Sequence, residues 1–85
     1  MEQEKAARLI SDSLKALYAF SMSKLYDKSE AEEMTHDIIC QVLKSVHRLN
    51  EEKAFYGFMW RIAENTFKTH IRKKQIPTVT LDEDF

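Results

Sequence analysis

The stretch FMWRIAENTFKTHIRKK, residues Phe58–Lys74, decides how this chain is read. Its first half is aromatic and apolar, Asn65 sits near its middle, and its second half carries four Lys/Arg with no acid and no proline. With its upstream neighbours, Phe55, Phe58, Met59, Ile62 and Thr66 form one helical stripe. Tyr56, Trp60, Ala63, Phe67 and Ile71 form a second stripe, rotated by about a third of a turn on the 3.6-residue period. One stripe suffices for a core, which leaves open whether this is a core helix with a charged end or a helix that also holds nucleic acid. Asn50 followed by Glu51 and Glu52 is expected to start it, because an Asn cap and early acids complement the unpaired N–H groups and the dipole. Pro77 is expected to end it at Ile76, since the residue before a proline disfavours helical geometry. Gly57 costs up to about 1 kcal/mol in a helix interior relative to alanine, so it points to a close approach by another helix or a ligand.

Upstream, Ala31, Met34, Ile38, Val42, Val46 and Leu49 make the core stripe of a second helix, with Ile39 at its edge and Glu33, Asp37 and Lys44 opposite. Ser29 with Glu32 three residues later matches a capping box and is expected to start that helix. Before it, Ala6, Ile10, Leu14, Leu17 and Ser21 follow helical spacing from about Gln3 to Met22, and Lys24 to Lys28 breaks the rhythm. The expected fold is all-α: a compact three-helix bundle with a long C-terminal helix, or a four-helix variant of it.

The totals agree. One glycine and one proline leave few turn signals, and 85 residues make one small domain with little room for an enclosed catalytic cavity. The single Cys40 cannot form an internal disulfide, and six charged residues among the first twenty exclude a signal region or membrane span there. A cytosolic setting is expected. The formal net charge of −1 disfavours a free-standing duplex binder, which draws affinity from neutralising phosphates. The charge is uneven, however: no acid occurs between Glu64 and Asp82, whereas Lys68, Arg72, Lys73 and Lys74 fall within seven residues. A solvated basic helix end, suited to the negative end of the dipole, is the plainer explanation of that run.

No phosphate loop, nucleophile elbow or zinc-protease motif is present, so no catalytic residue and no cofactor are expected. His36, Cys40 and His47 share a helix face, but they lack a fourth ligand and the paired-cysteine spacing of zinc sites. The third helix carries the stronger pattern. Aromatic rings stack on unpaired bases for about 1–3 kcal/mol each, an asparagine pairs with a base edge, and cations one or two turns on hold phosphates of the same strand. Aromatics at helical spacing also serve as ordinary core.

The order of these pieces resembles conserved region 2 of bacterial sigma-70 family transcription initiation factors, in particular the extracytoplasmic-function (ECF) group. AEEMTHDIICQVLKSV, residues Ala31–Val46, is similar to the family's A-E-D-x-x-Q-E/D run, and FYGFMWRIAEN, residues Phe55–Asn65, to its F-x-x-W-L-x-x-I-A-x-N. The resemblance extends from about Leu14 to Glu83. It implies that the second helix binds the clamp of the largest catalytic subunit of core RNA polymerase through Glu33, His36, Asp37 and Gln41. It implies further that the following loop and third helix capture the non-template strand of the promoter −10 element, with a base turned out of the stack. Arg48, Asn50, Lys53, Tyr56, Trp60, Asn65, Lys68, Arg72 and Lys73 are then the DNA-side candidates. Two departures stand out: His36 replaces the usual Gln before the clamp-binding acid, and Thr69 replaces an acid common four residues after the asparagine. Residues 1–76 are expected to form the domain, with 77–85 an acidic start of a linker toward an absent C-terminal domain that would read the −35 element.

A protein-interaction module occupied by an anti-sigma partner, without direct DNA reading, is the alternative, and the two can coexist. An independent three-helix duplex binder would need a more basic chain.

Overall fold

The computed structural model describes the backbone of residues 1–82 and side chains as far as Arg72. Three helices account for most of it: α1 (Gln3–Lys24), α2 (Lys28–Ser45) and α3 (Phe55–Asp82). Two short 3-10 turns, Val46–Arg48 and Glu52–Ala54, lie between α2 and α3. The expected all-α architecture is thus observed among the described residues.

The stripes converge on one core. Ala6, Ile10 and Leu17 of α1 meet Ala31, Met34, Ile38 and Val42 of α2, with Val46 just beyond it and Phe55, Met59 and Ala63 from α3. Burying each larger aliphatic side chain contributes about 1.5–3 kcal/mol, which lets helices of modest intrinsic propensity hold together. On α3 the deepest line is Phe55–Met59–Ala63, in steps of four, and it takes one member from the second expected stripe. Phe58, Trp60, Ile62 and Phe67 flank it, partly buried. Ser21 of α1 is buried as its spacing implied, and its hydroxyl bonds with that of Thr35 at 2.8 Å, while Thr35 also donates to the Ala31 carbonyl at 2.9 Å. A polar pair inside the α1–α2 contact is thereby satisfied.

Several local expectations are corrected. Leu14 lies in the α1 stripe but is 45% exposed, because it sits at the edge where α1 and α2 part. The cap of α2 is Asp27, whose extended backbone lets its Oδ1 accept from the Ser29 amide at 2.9 Å; Ser29 is already inside the helix. A carboxylate there satisfies a free N–H and faces the positive end of the dipole, so it outcompetes the serine two residues on. Asn50 caps nothing, because the turn Glu52–Ala54 intervenes and α3 begins five residues later, beyond the reach of an asparagine side chain. Among the described residues, a Cβ built on Gly57 would meet no atom within 4 Å apart from its chain neighbours and its own helix backbone, so no other described helix presses on it. The backbone of α3 continues past Pro77 to Asp82 rather than stopping at Ile76. The pre-proline preference is a bias that a helix can overrule, and no further proline or glycine follows.

The connection from α2 to α3 is tied down by the other end of the chain. The Met1 ammonium donates to the carbonyls of Val46 at 3.2 Å and Leu49 at 2.7 Å, and Gln3 Nε2 donates to that of Leu43 at 3.0 Å. Lys5 pairs with Glu52 at 2.7 Å. The Leu43 carbonyl in the last turn of α2 and the carbonyls of Val46 and Leu49 just beyond it thus receive donors from the start of the chain, and the segment carrying Arg48, Asn50 and Lys53 is held against α1.

Candidate functional site

Glu33, Asp37 and Gln41 follow one another at intervals of four on α2, off the core stripe, whereas His36 lies about 100° from Asp37 and borders the groove toward α1, not the one toward α3 that Asp37 and Gln41 line. Glu33, His36 and Gln41 are exposed and Asp37 is half-buried. The reason for the difference lies on α3: His70 Nε2 donates to Asp37 Oδ2 at 3.1 Å, with the His70 side chain 15% exposed and that of Asp37 46%. His70 is absent from the sequence-derived candidates. It lies 33 residues from Asp37, and no spacing rule connects two helices across such a distance.

On α3, Asn65, Lys68 and Arg72 are exposed and fall within about 60° of one another on a helix with 3.6 residues per turn. Arg61 belongs to the same file, one turn before Asn65, and is also exposed. Sequence reasoning passed over it, although the intervals 61–65–68–72 were there to be seen. The side chain of Lys73 lies outside the described residues. Trp60 is placed elsewhere, about 140° around the helix from Asn65. It is half-buried, with its ring edge-on to Phe20 of α1 at 5.6 Å between centroids. Tyr56 is 45% exposed on the same flank and packs edge-on to Phe55 at 5.4 Å. The DNA-side candidates therefore divide into an outward file of cations and amide, and an aromatic flank toward α1.

Arg48, Asn50 and Lys53, from the connection, form a third group, all exposed. Asn50 lines a shallow depression with Met1, Lys5 and Glu52, while Lys53 and Tyr56 line another with Leu9. From Tyr56 to Arg72 the helix axis rises about 24 Å, so these groups and the outer end of the file are separated by several nucleotides' length.

The α2 face and the outward file meet across a groove of about 590 Å³. Asp37, Gln41 and Lys44 stand on its α2 wall, and Asn65, Thr69 and His70 on its α3 wall. Thr69 donates to the Asn65 carbonyl at 3.0 Å, which leaves the Asn65 amide directed by its own rotamer rather than by that bond. A second groove, about 500 Å³, lies between α1 and α2; Leu14, Ala19 and Ile39 give it an apolar floor, with Lys15, Glu32 and His36 around it. The donors, acceptors and cations on these surfaces suit binding of a polyanion beside a protein partner.

Cys40 Sγ lies 3.8 Å from a ring nitrogen of His36, but His47 falls past the end of α2 in the following turn, so the helix does not hold the three together. Among the described residues no three His, Cys, Asp or Glu side chains are grouped to hold a metal, and no helix is long and apolar enough to cross a membrane.

Comparison with known proteins gives one match. The family model for sigma-70 region 2 matches residues 9–76, which include the core stripes of α2 and α3, that of α1 from Ile10 onward, and both candidate faces. No curated protein and no solved structure matches. Helical architecture, the two opposed faces and a match over most of the length lead to the same place: the chain belongs to the sigma-70 region 2 family, whose domains bind core RNA polymerase and promoter DNA in transcription initiation.

Proposed function

We propose that this domain is of the ECF type, that α2 engages the polymerase clamp through Glu33, His36, Asp37 and Gln41, and that α3 and the preceding loop capture the non-template strand of the −10 element. The observation that carries the reading is the outward file Arg61–Asn65–Lys68–Arg72, an amide among three cations on one exposed helix face. An asparagine amide can pair with a base edge, and cations on either side can hold the phosphates that bracket that base. Turning a base out of the duplex costs a few kcal/mol, comparable with one stacking contact plus an amide pairing, so opening relies on contacts that polymerase adds. A net charge of −1 is consistent with a domain that does not hold DNA alone. The action is binding, in the cytoplasm where core polymerase works, without a covalent step or a cofactor. Residues 1–76 are the binding domain on this reading, and 77–85 lead toward a further domain.

A second reading has its own observation. The apolar groove between α1 and α2, with Leu14 uncovered beside it, fits a protein helix such as an anti-sigma partner would supply. The experiment that separates the two is reconstitution of the chain with core RNA polymerase on a promoter library, with and without Asn65→Ala. Specific initiation lost in the variant supports strand capture. Core binding that is indifferent to Asn65, with no −10 preference, supports the interaction module alone.

A further inference from the structure

The aromatic flank of α3 does not end at that helix. Phe20 of α1 meets Trp60 edge-on at 5.6 Å, and the Lys24 ammonium stands over two rings, 5.6 Å from the centroid of Phe20 and 5.5 Å from that of Phe67. All three rings are only partly buried, and Lys24 is exposed. Phe67 in turn shares a shallow depression of about 270 Å³ with Lys68 and Arg72, the last cations of the outward file whose side chains are described. Phe20, Lys24 and Phe67 therefore link Trp60, by way of α1, to the end of the file. Glu64, exposed and one turn from both Trp60 and Lys68, stands between the rings and the file on the α3 surface, so the route from one to the other runs by Phe67, Lys68 and Arg72.

A lysine over two rings could serve only to clip α1 to α3, and its place in the last turn of α1 also suits the dipole. That role explains the amine but not the rings, which a clip alone would have no reason to leave half uncovered. Charge and chemistry fit one class of occupant. Partly exposed rings bordered by three cations, Lys24, Lys68 and Arg72, suit a chain that alternates flat bases with phosphates.

We propose that Phe20 and Lys24 of α1 form a second segment of the nucleic-acid surface, where a single strand leaving the α3 file stacks a base against the Phe20–Trp60–Phe67 rings and places a phosphate on Lys24. The proposal rests on strand capture by α3 and names residues of a different helix, so the two can fail separately. A base competes with the Lys24 amine for ring surface, and the flexible stem lets the amine swing from the rings to the phosphate without moving the backbone.

The test measures binding of a fluorescein-labelled −10-like single-stranded oligodeoxynucleotide to the complex of the full chain with core polymerase, over a salt series. Lys24→Gln should weaken binding about 3- to 10-fold and reduce the magnitude of the log–log salt slope by about 0.7, the value for one phosphate contact on a single strand. Phe20→Leu, which keeps an apolar side chain in the packing, should weaken binding to the normal strand at least about 5-fold while leaving binding to an abasic strand unchanged, the signature of lost stacking. Lys68→Gln reports on the α3 file. Weakening by Lys68→Gln but not by Lys24→Gln overturns the inference and leaves strand capture standing, whereas absence of strand binding by the unsubstituted complex overturns both. A fall in melting temperature for Lys24→Gln with strand affinity unchanged shows a clip and overturns the inference. So does a loss of affinity for polymerase alone, which would make the patch a protein interface.

Discussion

Gly57→Ala is expected to stabilise the domain. Gly57 is the third residue of α3, has no positive φ, and faces open space, so a methyl group enters without a clash. Removing the extra backbone freedom that glycine gives the unfolded chain is worth about 0.5–1 kcal/mol in a helix, with the lower half of that range appropriate to a first turn. For a domain of this size 1 kcal/mol shifts the melting temperature by about 4–8 °C, so a rise of roughly 2–6 °C is expected. Thermal melts followed by circular dichroism measure it, and urea titration should show the midpoint rising with the slope m unchanged. An unchanged or lower melting temperature would refute the picture of an unobstructed helical glycine. The same variant tests why the glycine is there. If strand or polymerase binding falls while stability rises, the open space at Gly57 belongs to a partner; if binding is unaffected, nothing outside the chain requires it.

The remaining expectations concern packing and the two faces. Met34→Ala removes a fully buried side chain and should cost about 2–5 kcal/mol in urea unfolding. Ser21→Ala and Thr35→Val should each cost about 1–2 kcal/mol, and the double variant less than their sum, because each single change leaves a buried hydroxyl without its neighbour. A double-mutant cycle on Asp37 and His70 should give a coupling below about 1 kcal/mol, since the carboxylate is close to half exposed and solvent screens the pair. Asp37→Ala should lower affinity for core polymerase with helicity intact, while His70→Ala should leave that affinity within about twofold if the carboxylate itself makes the contact; equal losses would mean that Asp37 acts through the position of α3.

What the sequence made legible was periodic. Ala31, Met34, Ile38, Val42 and Val46 announce a buried face because a helix repeats every 3.6 residues whatever it packs against. Leu14 obeys the same period and is not covered, since spacing tells which side of a helix a residue occupies but not how far its neighbour extends. Caps were harder: Asp27 and Ser29 can both start a helix, and the choice depends on which has extended backbone when the chain leaves Leu25. Of the DNA-side candidates, Asn65, Lys68 and Arg72 come together because one helix carries them. Trp60 departs from them because Phe20, forty residues earlier, provides a ring to pack on. The bond from His70 to Asp37 had no trace at all in one dimension, being fixed by how α2 and α3 are set side by side.

The trough between Asp37 and Asn65 has one consequence for how such a domain would discriminate among promoters. On the proposed reading, a protein seated on the Asp37 wall and a strand on the Asn65 wall would each become part of the other's surroundings, because one groove joins the two walls. Selectivity is then a property of the pair and not of α3 alone, so base preferences measured on the free domain and on its assembled form should differ at that nucleotide before any other.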